Sequence, residues 1–333
     1  MIKFAVIGTS DITDKFINSA LGFKNFALEA IYSREYTKGL AFGKKYSCSK
    51  VYTDLDKLGE DRAIDAVYIA SPNYLHCPQA IKLMSYKKHI LCEKPFASDS
   101  DEVAAMIAAA RENNVLLMEA MKTPFMPVIR NVKSHLQRIG KIRRAFFHYS
   151  QYSSRYDNFR KGIVENAFKP ELSNGALVDI GIYPLFAMLY FFGECDHLSA
   201  SAQFLHSGVD GVGTISMKYA DFLGDIHYSK ISNSLIPNEI QGEDGNILIN
   251  RISMGASATM QLRSGEIIDL GTETEDSFYY EIKEFLTLIE TGQLESKVMS
   301  HQVSRELMAT LDEIRRQIGL VYPSNNIDKK NNP

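Results

Sequence analysis

Up to Ala120 the chain alternates short apolar runs with longer amphipathic ones. Runs at 3–7, 28–32, 66–70, 89–92 and 115–118 have the length and composition of buried strands. Between them, 12–21, 35–46, 76–85 and 99–113 carry apolar residues at helical spacing. In the last stretch Val103, Met106, Ile107 and Ala110 share one face. Ser98, with Asp101 three residues on, is its expected N-cap. Strands that alternate with helices need crossover connections, which predicts a doubly wound parallel sheet of the α/β Rossmann kind.

The pattern changes after Pro124 and Pro127. One more helix is expected over 128–137. Strand-length runs follow at 143–152, 197–205, 213–219, 225–231, 238–241, 246–250, 258–262 and 267–270. Gly- and Asn-containing turns join many of them, so this half reads as α+β with a large, mostly antiparallel open sheet. Two helices close it. Phe278, Ile282, Phe285 and Ile289 mark one face before Gly292; Val303, Leu307, Leu311, Ile314 and Ile318 mark the other before Gly319. The polar tail 325–333 is expected to fray. These elements predict a dinucleotide-binding domain over 1–122 and a second domain over 123–333 that binds substrate. One face of the second domain's sheet is expected to bury apolar residues against an identical subunit, making a homodimer.

Composition narrows the partners. At 333 residues the chain exceeds one ordinary core. With 45% apolar and 23% charged residues it has the balance of a folded globular protein. A formal charge of −3 leaves no electrostatic footprint for nucleic acid. Cys48, Cys77, Cys92 and Cys195 form no C-x-x-C pair and no zinc-spaced cluster with histidine. Neither a disulfide framework nor a bound metal is expected, and a reducing compartment suits such cysteines. The opening MIKFAVIG lacks the length of a signal core or a membrane span, so a cytoplasmic protein without membrane attachment is expected.

The segment from Lys3 to Ile17 reads as strand, tight turn and helix start, where a pyrophosphate rests on helix N–H groups. Gly8 holds the first position of the glycine fingerprint; Ser10 and Thr13 replace the second and third. Thr9, Ser10, Asp11 and Ile12 would frame the phosphates, unless this is an ordinary strand-to-helix loop. The second strand ends in Ser33 and Arg34 rather than an acid. A hydroxyl and a guanidinium suit a 2′-phosphate, which favours NADP over NAD without excluding NAD. Otherwise Arg34 is a solvated loop residue.

The run 64–97 contains Ser71-Pro72-Asn73, then His76, then Glu93-Lys94-Pro95. It resembles the glucose–fructose oxidoreductase/inositol dehydrogenase (Gfo/Idh/MocA) superfamily, where a strand ends in a Pro-Asn turn, a His opens the next helix and the following strand ends in Glu-Lys-Pro. Residues 173–185 resemble that family's second-domain signature, with Asp179, Gly181 and Tyr183 in place and Asn174 where a glycine is usual. Tyr183 rather than His is similar to the dihydrodiol dehydrogenase-like branch. Lys122 and Pro124 depart from that branch, which has an aromatic residue and an Arg there. The resemblance implies hydride transfer between a nicotinamide and a small hydroxylated or carbonyl substrate: a sugar, polyol or dihydrodiol. It also implies a cis bond between Lys94 and Pro95.

Read chemically, Lys94 at a strand's C-terminal end can stabilise charge on a substrate oxygen. Tyr183 is the candidate acid/base. If 176–189 is helical, Asp179 shares its face and would orient Lys94 or a substrate hydroxyl. Glu93 would pair with Lys94 or orient the nicotinamide ribose. His76 would sit near the cofactor or merely cap its helix, as Ser71, Pro72 and Asn73 shape the adjoining turn. Arg155 is a weaker candidate. Two other functions stay open: a non-catalytic nicotinamide-binding regulator, and redox-neutral chemistry on a retained cofactor.

Overall fold

A computed structural model describes residues 1–323, so the expectation for the tail 325–333 lies outside the described residues. The chain divides into two compact units, Met1–Met121 with Asp276–Met308, and Lys122–Glu275 with Ala309 onward.

The first unit holds a parallel sheet of strands β1 (Ile2–Ile7), β2 (Phe26–Tyr32), β3 (Val51–Tyr52), β4 (Ala66–Ile69), β5 (His89–Glu93) and β6 (Leu117–Ala120). Its order is β3-β2-β1-β4-β5-β6. Helices α1 (Asp11–Ala20), α2 (Tyr36–Gly43), α3 (Leu55–Glu60), α4 (His76–Ser85) and α5 (Ser100–Asn113) supply the crossovers. This is the doubly wound sheet that the alternating pattern predicts, reversing between β1 and β4 where such folds bind ligands. The cap of α5 is Asp99, not Ser98: its Oδ1 accepts the Glu102 N–H, and the Ser98 N–H donates to Glu102 Oε2.

Helix α9 (Tyr279–Glu290) returns to this unit, which the expected boundary after residue 122 does not anticipate. Its Phe285 ring lies 5.9 Å from that of Phe4 in β1. Phe4 also packs on Phe16 and Phe26, so the helix closes an aromatic core laid down by the first two strands.

The second unit opens with α6 (Pro127–His135) and β7 (Ile142–Ser150). After α7 (Tyr156–Arg160) and α8 (Ile182–Phe192) come β8 (His197–Phe204), β9 (Asp210–Lys218), β10 (Leu223–Ser229), β11 (Asn238–Gly242), β12 (Gly245–Asn250), β13 (Ser257–Leu262) and β14 (Ile267–Thr272). Strand order is β14-β13-β12-β11-β7-β10-β9-β8, with β7 and β10 parallel and the other neighbours antiparallel. The last helix, α10 (His301–Ile318), is divided between the units at Met308.

Helices α6 and α8 pack on this sheet, over buried positions such as Phe147, Ile226 and Met260. The opposite face carries polar and apolar residues side by side. Alternation puts Ser216, Arg144 and Asp225 outward, with Arg144 and Asp225 paired at 2.7 Å, among apolar residues that include Phe146, Val212, Leu223, Leu248 and Ile267. An antiparallel sheet tolerates such a wet face. The stretch Pro170–Phe192 is apolar and long enough to cross a membrane, yet its most apolar 18-residue window is 72% buried inside the protein, as in a core helix.

Candidate active site

In the β1–α1 turn Gly8 adopts φ +109°, and a Cβ there would meet the Ala70 carbonyl oxygen at 2.5 Å. Only glycine allows this turn to lie so close to the end of β4. Ser10 precedes α1 without a side-chain cap bond, so its hydroxyl does not occupy the helix's first N–H groups. Thr13, at the third glycine position, is fully buried and its Oγ1 has no partner. Thr9 and Ile12 are half-buried and Asp11 is exposed. Asp14 in the first turn is paired with Lys45 at 2.7 Å and with the Tyr46 hydroxyl. Much of the acidic charge that would oppose a pyrophosphate is thus neutralised, and the turn fits a dinucleotide.

At the end of β2, Ser33 is buried and its Oγ accepts the Glu35 N–H at 3.3 Å, while Arg34 is exposed.

At the end of β5 the Lys94–Pro95 bond is cis, as the resemblance implies. His76 does not cap α4; it is the helix's first residue, with its ring buried. Its Nδ1 lies 2.9 Å from the Pro95 carbonyl oxygen and its Nε2 2.9 Å from that of Ser71. Burial lowers its pKa, so the neutral ring donates one of these bonds at a time. His76 thereby ties the Ser71-Pro72-Asn73 turn to the lysine turn. The Ser71 hydroxyl donates to Gln79 at 2.7 Å. Glu93 accepts from the Tyr68 hydroxyl at 2.5 Å and from the Lys94 backbone N–H at 3.3 Å. Cys92 is buried beside it, its thiol pKa pushed up by burial.

The sequence reading assigned nothing to Glu119, although a lone carboxylate inside the apolar run Val115–Met121 is a visible anomaly. It is 2% exposed and accepts the Ser304 hydroxyl at 2.7 Å. Burial, with Glu93 adding to it, raises its pKa from 4.5 to about 7 despite the opposing effects of Ser304, the Phe96 N–H and Lys94. The folded chain therefore keeps this proton where the unfolded chain has lost it, so stability falls as pH rises from about 4.5 to about 7. The whole effect is roughly 3 kcal/mol. Glu119→Gln, whose amide mimics the neutral acid, should melt above the parent at pH 8 and near it at pH 5. Equal melting differences at both pH values would contradict this.

In the second unit, residues Leu177–Gly181 form a π-helical turn that runs into α8. The expected regular helix over 176–189 is thus wider at its start, and the Asp179–Tyr183 spacing is not that of plain α-helix. The buried Asp210 carboxylate accepts the Leu177 N–H at 2.7 Å and anchors the turn. Burial raises its pKa to about 6. Gly181 packs on the Tyr228 ring, where a Cβ would approach to 2.9 Å. Asp179 pairs with Lys230, a residue the sequence reading passed over. Tyr183 is half-buried, its ring 5.8 Å from that of Tyr149 and 6.0 Å from the Lys122 Nζ. Arg155 is largely exposed and pairs with Glu165 at 3.6 Å.

A dinucleotide turn on a sheet of order β3-β2-β1-β4-β5-β6, a lysine at the end of β5 and a second unit built on an open sheet define a nicotinamide-dependent oxidoreductase. Residues 2–121 match the model of an oxidoreductase family with an NAD-binding Rossmann fold, and 130–248 match the GFO/IDH/MocA C-terminal domain. The chain belongs to the Gfo/Idh/MocA family. It is 45% identical over 325 residues to scyllo-inositol 2-dehydrogenase (NADP(+)) IolU of Bacillus subtilis, covering 97% of this chain and 99% of that protein. It is 31% identical to trans-1,2-dihydrobenzene-1,2-diol dehydrogenase of Danio rerio, covering 88% and 89%. Among solved structures, the 3-ketoreductase KijD10 of Actinomadura kijaniata, with NADP and TDP-benzene, shares the fold at TM-score 0.84 and 22% identity, covering 95% and 98%.

Proposed function

We propose that this oxidoreductase is an NADP(H)-dependent dehydrogenase of a neutral cyclic polyol, interconverting one ring hydroxyl with its ketone. The observation that carries the reading is the 45% identity, over nearly both full lengths, to an NADP(+)-dependent scyllo-inositol dehydrogenase. Ser33 and Arg34 at the end of β2 would receive the 2′-phosphate, and Gly8 through Ile12 the pyrophosphate. Ser71-Pro72-Asn73, His76 and Glu93 would shape the nicotinamide end.

When bound, the nicotinamide takes or supplies the hydride. The chain's own part is the proton and the charge. In oxidation, Tyr183 Oη accepts the proton of the reacting hydroxyl, directly or through water, while the Lys94 ammonium stabilises the oxygen as the carbonyl forms. In reduction the same groups act in reverse. Asp179 accepts a hydrogen bond from a further substrate hydroxyl.

The test is a panel of inositols, sugars and dihydrodiols with NADP+ and NAD+, followed at the reduced-nicotinamide absorbance. Turnover of a cyclitol with NADP+ is expected; oxidation of dihydrodiols with no cyclitol turned over would overturn the reading.

The open sheet face, with Phe146 flanked by His227 at 5.1 Å and His148 at 5.7 Å, is proposed as a homodimer interface. Light scattering at micromolar concentration should give twice the chain mass, and a monomer would exclude it.

A further inference from the structure

Lys230 follows β10 and is buried at 4% exposure. Its backbone is fixed on both sides: its N–H donates to the Gly211 carbonyl, and its own carbonyl accepts the Ser153 N–H, each at 2.9 Å. Its ammonium reaches Asp179 and lies 5.5 Å from the Phe168 ring. Burial within the pair is lopsided. The lysine side chain is 5% exposed and the aspartate 34%, so the cation sits behind and the carboxylate in front.

We propose that Lys230 is a positioning residue that holds Asp179 as a fixed, ionised acceptor for a substrate hydroxyl next to the reacting carbon. The inference rests on the polyol reading above and deepens it. An ionised carboxylate accepts hydrogen bonds and donates none, so it matches a hydroxyl and rejects a carboxylate or phosphate at the same place. A site built to bond a hydroxyl also discriminates against the analogue lacking it, because that bond to the fixed acceptor is lost. Without Lys230 the aspartate loses the buried cation that the structure sets behind it. With it, the carboxylate stands within the signature turn that Asp210 anchors and Gly181 seats on Tyr228. Lys230 touches Asp179 rather than the substrate, so its effect is one of selectivity.

The experiment compares the parent with Lys230→Met, Lys230→Arg and the charge-balanced double variant Asp179→Asn/Lys230→Met. Each is saturated with NADPH and titrated by calorimetry with scyllo-inositol and with a cyclitol lacking one hydroxyl. KM and kcat are then measured for both with NADP+. Lys230→Met should weaken scyllo-inositol binding about tenfold or more, raise KM more than it lowers kcat, and bring the preference over the deoxy analogue close to one. NADPH affinity should stay within about twofold. Lys230→Arg should recover part of the preference. If Lys230→Met does not fold, the double variant, which buries no unpaired charge, carries the same expectation of lost preference. An unaltered preference, with only melting temperature or kcat reduced, would overturn the role. Failure of the polyol reading is separate: the parent would then bind and oxidise no cyclitol. The preference of each variant is in that case read on the alcohol it does oxidise and that alcohol's deoxy analogue.

Discussion

Tyr183→Phe is expected to lower turnover by about 10²–10⁴-fold, the usual contribution of a positioned acid/base, while NADP(H) affinity stays unchanged. In the proposed mechanism, removing the phenol hydroxyl leaves the substrate oxygen without its proton exchange. Two features of the structure favour Tyr183 over its competitors. Both ring nitrogens of His76 face backbone carbonyls, and the Asp179 carboxylate is engaged by Lys230. The Lys122 ammonium lies 6.0 Å from the Tyr183 ring. Lys94→Ala should lose at least as much as Tyr183→Phe. In the proposed mechanism the two groups serve one oxygen, so the double variant should lose far less than the product of the two. Rapid-quench or steady-state turnover of the four proteins makes the cycle. Near-normal turnover of Tyr183→Phe would move the proton to another group, and full additivity would separate the roles of Lys94 and Tyr183.

The fold was legible where the pattern repeats. Strands β1, β2, β4, β5 and β6 stand out as apolar runs, and the face of α5 follows from Val103, Met106, Ile107 and Ala110. The two-residue β3 and the short α3 are below the length at which periodicity speaks. Ser98 and Asp99 are both good caps, and composition alone does not choose between neighbours; the Glu102 bonds do. The amphipathic pattern of α9 announces a helix but not its partner, which is the Phe4 cluster at the far end of the chain.

The candidate site was legible as motifs and illegible as contacts. Glu93-Lys94-Pro95 and the Asp179–Tyr183 signature are local in sequence. Lys230 meets Asp179 across 51 positions and Ser304 meets Glu119 across 185, so no spacing rule joins them. The π turn at Leu177–Gly181 is likewise set by what packs against it, Tyr228 beneath Gly181 and Asp210 at its head.

Arg34→Ala should weaken NADP(H) binding by roughly ten- to hundredfold, about 1.5–3 kcal/mol, and leave NAD(H) binding nearly unchanged. The surroundings of Arg34 are suited to a phosphate. Ser33 accepts the Glu35 N–H, which leaves its own hydroxyl hydrogen to donate. The first turn of α2 carries no acidic residue and does carry Lys38, the reverse of α1, whose first turn holds Asp11 and Asp14. Glu35 stands at the N-cap of α2, but Arg34 and Lys38 flank it with two cations, a balance that favours a dianion over a ribose hydroxyl. Because Arg34 is exposed, the contact is partly screened, so NADP(H) affinity should also fall with added salt more steeply than NAD(H) affinity. Arg34→Lys keeps the charge but not the planar fork, and should retain only part of the preference. Fluorescence titration of both cofactors against each variant reads the result. An equal loss for NAD(H) and NADP(H) would place Arg34 away from the 2′ position and leave Lys38 as the cation to test.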